Sequence, residues 1–118
     1  MTGSETRAAG ELFEQLAVCF LADPTVRQGT GFGSTPGFRV GSKIFAMRRD
    51  SELVVKLSKE RVDQRVVSGI GARFDPRHDG RPLKEWVTIP ARHGSDWEQL
   101  ASEALQLVRS AVWSPRRR

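Results

Sequence analysis

Asp75, His78 and Asp79 fall together in the stretch FDPRHDGRPLKEWVTIP. Residues of these types could ligate a metal, or form a general base in which a carboxylate orients an imidazole. A catalytic metal ordinarily takes about three protein ligands, and only His93 could add a second imidazole. Asp75-Pro76 and Asp79-Gly80 are also ordinary turn pairs. The spacing therefore predicts an exposed turn, with no catalytic residue and no metal ligand assigned. Around that turn, Arg73, Arg81 and Lys84 could line a groove for an acidic ligand. The simpler expectation pairs Lys84 and Glu85 with neighbouring strands and makes Trp86 a large core anchor.

Two further motifs invite chemistry. GTGFGSTPG, residues 29–37, is rich enough in glycine to raise a phosphate loop. A dinucleotide fingerprint would need glycine where Ser34 stands, and the loop would have to open a helix so that its amides meet the phosphate. A strand follows instead, and a Lys-Ser/Thr ending is missing, so a bent edge strand and loop is expected and no cofactor. Cys19 falls in the middle of a helical pattern, away from any helix N-terminus that would activate a thiol. It is expected as a small buried hydrophobe.

The elements that would position these residues follow from periodicity. Residues 5–22 form a helix with Leu12, Leu16, Cys19 and Phe20 on its apolar stripe, and Asp23-Pro24 ends it. FRV, KIFAM and ELVVK predict strands, with Gly41-Ser42 as a tight hairpin turn and Asp50-Ser51 as a second. Strict alternation places Phe38, Val40, Phe45, Met47 and Val54 on one face, and Ile44, Ala46, Leu53 and Val55 on the other. A short helix over 59–68 is capped by Ser58, stapled by Leu57 and Val62, and stopped by Gly69. Residues 72–74 and 84–89 predict two more strands. Ser95 with Glu98 predicts a capping box for a last helix whose stripe runs from Trp97 through Val108 to Val112. The expected fold class is α+β: a curved, largely antiparallel sheet of about five to six strands, packed by N- and C-terminal helices, with a short helix between strands.

A chain of 118 residues supports one modest core, assigned to residues 1–113, with 114–118 as a disordered basic tail. The formal charge is +5, but Arg116, Arg117 and Arg118 contribute heavily to it, and the body is close to neutral. The lone Cys19 excludes an internal disulfide, and no apolar run approaches spanning length, so a cytoplasmic location without membrane contact is expected.

GFGSTPGFRVGSKIFAMRRDSELVVKLSKERVDQRV, then FDPRHDGRPLKEWVTIP and a closing helix with Trp97, Gln99, Leu100, Ala101 and Leu105, resemble the TfoX N-terminal domain family, itself similar to YjbR/MmcQ-like proteins. The likeness covers roughly residues 8–112 and rests on order and texture, with Phe32-Gly33, KIFAM and GRPLKEWV as its matching elements. It implies a small α+β, non-catalytic domain that binds or regulates through protein contacts with a partner it does not name. YjbR-like relatives are often described as DNA-binding. That alternative would use Arg39, Arg48 and Arg49 with the Arg116, Arg117 and Arg118 tail, in weak, salt-sensitive nucleic-acid contacts. A third reading places a small ligand or an enzymatic role between Gly29–Gly37 and Arg73–Lys84. Because the predicted sheet is apolar on both faces, a homodimer covering Ile44, Leu53 and Val55 is also expected.

Overall fold

The computed structural model describes residues 2–30, 35–75, 80 and 82–113, with side chains described between 7 and 110. Helix α1 (Thr2–Phe20) leads into strand β1 (Val26–Gln28), followed by β2 (Gly37–Val40), β3 (Lys43–Arg49) and β4 (Glu52–Lys56). Helix α2 (Lys59–Val67), strands β5 (Ala72–Arg73) and β6 (Trp86–Pro90), a 3₁₀ segment over Ala91–Asp96 and helix α3 (Trp97–Trp113) complete the chain. The fold is α+β, with an open six-stranded sheet in the order β1-β2-β3-β4-β6-β5. Every neighbouring pair is antiparallel.

Local chemistry explains the joints. Gly41 turns the β2–β3 hairpin with φ +60°, and Asp50 turns β3–β4 at φ 57°, a left-handed conformation that aspartate tolerates better than most side chains. Ser58 caps α2 by accepting the Arg61 amide at 3.3 Å. Leu57 and Val62 are both fully buried beside that cap, as a hydrophobic staple requires. Gly69 ends α2 at φ +81°. The C-terminal helix begins differently from expectation. The only non-helical backbone in the 3₁₀ segment is at His93, so Ser95 already has helical geometry and cannot be the cap of α3, because a cap residue must be extended.

All three helices pack on one face of the sheet, and a single large core lies beneath them. Phe13 stacks on Phe38 with centroids 4.8 Å apart, while Phe20 meets Phe45 edge-on at 5.8 Å. Leu53, Val55, Val87 and Ile89 are wholly buried in the same layer, under Trp97, Leu100, Ala101, Ala104 and Val108 of α3. Two ion pairs clamp the helices at its margin. Arg61 grips Glu103 with two hydrogen bonds, of 2.5 and 3.0 Å. Arg109 of α3 bonds Asp23 and, at 3.3 Å, Thr25 in the turn after α1.

The strict alternation expected for β2–β4 is broken by a bulge. The pairing runs Phe38↔Ala46 and then Arg39↔Ile44, which leaves Phe45 as an extra residue on β3. Two residues opposite one shift the phase of the strand. Phe45 and Ala46 therefore both enter the main core, and Met47 and Val54 form a smaller cluster on the opposite face with Phe74 and Trp86. Leu53 and Val55, expected on the same uncovered face as Ile44, are 0 % exposed beneath the helices. They are not available to a second subunit.

Two smaller expectations are also corrected. Cys19 is exposed, with its Sγ 3.9 Å from a Glu98 carboxylate oxygen. The buried stripe of α1 is Ala9, Phe13, Leu16 and Phe20, and the helical repeat of about 3.6 residues carries Cys19 to its edge. Trp86 is half-buried in the minor cluster instead of anchoring the main core.

Candidate interaction site on the helix-free face

Residues directly opposite one another in an antiparallel pair share a face, so the register defines the surface that the helices leave uncovered. Its central row is Gly37↔Met47↔Val54↔Thr88↔Ala72. On one side lies the row Arg49↔Glu52↔Pro90; on the other, Lys56↔Trp86 and the pair Arg27↔Arg39, with Ile44 beside Arg39. Beyond β5, Phe74 donates its amide to the Trp86 carbonyl at 3.0 Å and Leu83 donates to the Phe74 carbonyl at 2.8 Å, and the Phe74 side chain packs with Met47 and Val54. The Arg49 guanidinium stands 5.4 Å from the Phe74 ring centre, and the Lys56 ammonium 5.7 Å from that of Trp86. Each contact attracts the cation to an aromatic face, and the Lys56 ammonium is also bonded to Glu85.

The candidate residues are brought together only in part. Arg39 and Arg49 lie on this face, joined by Arg27, which the sequence reading passed over. Arg48 pairs with buried Leu53, so it belongs to the opposite side, and its guanidinium donates to the Asp50 carbonyl at 2.8 Å. Arg116, Arg117 and Arg118 lie outside the described residues. Of the interface candidates, only Ile44 reaches the surface, half-buried.

The acidic turn separates in a similar way. Asp75 accepts the Gly80 amide at 3.1 Å, the behaviour of a turn residue; His78 and Asp79 lie outside the described residues. Among the described residues no group of three or more His, Cys, Asp or Glu side chains could hold a metal ion. Arg73 turns to Asp63 of α2, whose carboxyl is held below the usual range first by the Arg73 hydrogen bond and then by that of Lys59. Arg73 and Lys84 line different clefts, and Arg81 is outside the described residues. The neck of the glycine-rich loop is closed, with the Gly29 amide donating to the Gly37 carbonyl at 2.7 Å and the Thr30 hydroxyl to the Thr35 carbonyl at 3.1 Å. Residues 31–34 are outside the described set.

At one end of the sheet a cleft of about 410 Å³ opens between β3, β4, β6 and α3, with Ile44, Trp86, Leu107 and Val108 among its walls. Glu85 bonds Lys56 at its rim, at 2.9 Å. Lys56 joins this site through the β4–β6 register, which sets it opposite Trp86, a pairing that the sequence alone does not give. Leu107 joins it only once α3 is docked on the sheet. Comparison with family models, with curated proteins and with solved structures finds no match to this chain.

Proposed function

We propose that the chain is a non-catalytic binding or regulatory domain of the TfoX N-terminal type that works by contacting a protein partner. The observation that carries this reading is the apolar cleft at Trp86, open to solvent at the end of the sheet and rimmed by charge. Concave apolar surface with a few polar groups at its edge is where side chains of a partner gain most by burial. The catalytic alternative has less to support it: of the described residues that prompted it, Asp75 accepts the Gly80 amide as a turn residue does, and Arg73 and Lys84 line separate clefts. Affinity purification on the full chain, compared with an Ile44→Glu variant altered at the cleft, tests the reading. A defined partner bound by the first and lost with the second is expected. Equal recovery with both proteins overturns it.

A second reading, nucleic-acid binding, draws on one specific feature. Arg27 and Arg39 stand directly opposite one another on the same face as Arg49. Like charges in that relation destabilise a strand pair, a cost that a bound polyanion would offset. Anisotropy titration of a labelled oligonucleotide should then show affinity that falls with salt and with Arg39→Glu. No binding at low salt removes this reading.

A further inference from the structure

Two clefts meet at Trp86. The first is the apolar one described above; the second, of about 520 Å³, runs past Pro82 and Leu83. Glu85 and Trp86 line both. Around them the charge is almost all of one sign. Lys43 and Lys56 border the first cleft, and Lys59 and Lys84 the second. Glu85 is the one acid lining either among the described residues, and it is already bonded to Lys56. Lys59 has a neighbour in Asp63 at 3.2 Å, along the helix. Lys43, Lys59 and Lys84 are all exposed.

Several cations around an indole, over an apolar floor, offer two kinds of contact at once: to negative charge and to apolar bulk. We infer that this double cleft is a docking site for an acidic segment of a partner protein. The segment would seat one large apolar side chain against Trp86 and set Asp or Glu carboxylates against Lys43, Lys59 and Lys84. The inference rests on the protein-contact reading and adds the chemistry of the partner. A second copy of the chain fits poorly, because a two-fold contact through this patch would bring one lysine rim against the other. A bare phosphate fits less well too. Phosphate sites favour arginine forks or converging amides, whereas this rim carries lysines spread around a mainly apolar surface.

Random peptides displayed on phage and selected on the full chain test the idea, with the recovered peptides synthesised and titrated by fluorescence anisotropy. The expected winners are net acidic around a Leu, Phe or Trp. Their binding should fall at least ~10-fold, or about 1.4 kcal/mol, on the double substitution Lys43→Glu/Lys84→Glu. Both lysines are exposed, and circular dichroism of the variant confirms its fold. Replacing the peptide's acids with lysine should restore binding to that variant. Neutral or basic winners, acidic winners indifferent to the lysine changes, or no winner at all overturn the inference. So does a dimer in sedimentation equilibrium that the double substitution breaks, or an oligonucleotide that competes at the same rim more tightly than any peptide. The protein-contact reading is judged separately by the Ile44→Glu purification, so an unsuitable peptide chemistry and a missing partner give different patterns.

Discussion

Asp23 shows how one side chain can join two elements. Its carboxylate accepts from both the hydroxyl and the amide of Thr25, at 2.7 and 2.9 Å, and bonds Arg109 of α3. The Thr25 hydrogen bonds, then Arg109, hold its pKa below the usual carboxylate value, and Asp63 is lowered in the same direction by Arg73 and Lys59. A lowered folded-state pKa contributes stability that is present above the unfolded value, about 3.9, and is lost as pH falls through the folded value. Urea midpoints measured from neutral pH down should therefore drop in the acid range below about pH 4. The drop should be shallower in Asp23→Asn/Asp63→Asn; parallel curves would show that other groups govern the acid limb. Gly37 is a second residue with a distinct duty. A Cβ there would come within 2.8 Å of the Ala46 carbonyl oxygen and 2.5 Å of the Thr30 methyl, so Gly37→Ala should destabilise by about 1–3 kcal/mol. Chemical denaturation checks it, and an unchanged midpoint would mean that β2 can move aside. The glycine content of residues 29–37 raises the idea of a phosphate loop, but at Gly37 the glycine serves close packing against Thr30 and the β3 backbone.

The elements themselves were readable where a residue type acts locally. Gly41, Asp50, Ser58 and Gly69 each mark a turn or helix end by their own chemistry, and each occupies that place in the fold. Periodicity read the buried stripe of α3 correctly at Trp97, Leu100, Ala101, Ala104, Leu105 and Val108. Three features escaped for nonlocal reasons. The bulge at Phe45 turns that side chain into the main core, where it meets Phe20 of α1 and Phe38 of β2, and nothing within β3 announces it. Strand β1 is only Val26–Gln28, too short for alternation to register. The Ser95 cap failed because the chain enters α3 through a 3₁₀ segment that packs against α1, so the helical geometry starts earlier than the Ser-x-x-Glu pattern implies. The same pattern of argument separates two serines. Ser58→Ala should cost about 0.5–2 kcal/mol by leaving the Arg61 amide without its acceptor. Ser95→Ala should stay within about 0.5 kcal/mol. Thermal unfolding of the two variants side by side decides the matter, and equal losses would restore Ser95 as a cap. The interaction site was the least legible part, since Lys43, Lys56 and Leu107 come from three elements that only the assembled sheet and helix bring together.

For the whole molecule, the bulge determines which hydrophobic residues hold the chain together and which face outward. Leu53, at the centre of the sheet, supports the layer from which α1 and α3 hang. Leu53→Ala should cost about 2–5 kcal/mol, read from equilibrium unfolding, and a loss below that range would show that the helices collapse onto the gap. Leu53→Arg, which buries a charge without a partner, should leave no folded protein to assay. The minor cluster of Met47, Val54, Phe74 and Trp86 is a different case, because a small buried set beside an open cleft can be changed with less risk to the fold. The outermost strands carry a consequence for behaviour in crowded solution. A sheet ending in long, flat strands is a template for endless addition of further chains. Here β1 has three residues, with Arg27 exposed in its middle, and β5 has two, with Arg73 paired across to α2. Neither offers an incoming strand more than a residue or two of free ladder, so the native protein should resist fibril growth even at high concentration. Its hazard lies instead in KIFAM and ELVVK, β-rich runs whose central residues, Phe45 to Met47 and Leu53 to Val55, are buried in the fold and meet solvent when the chain is unfolded.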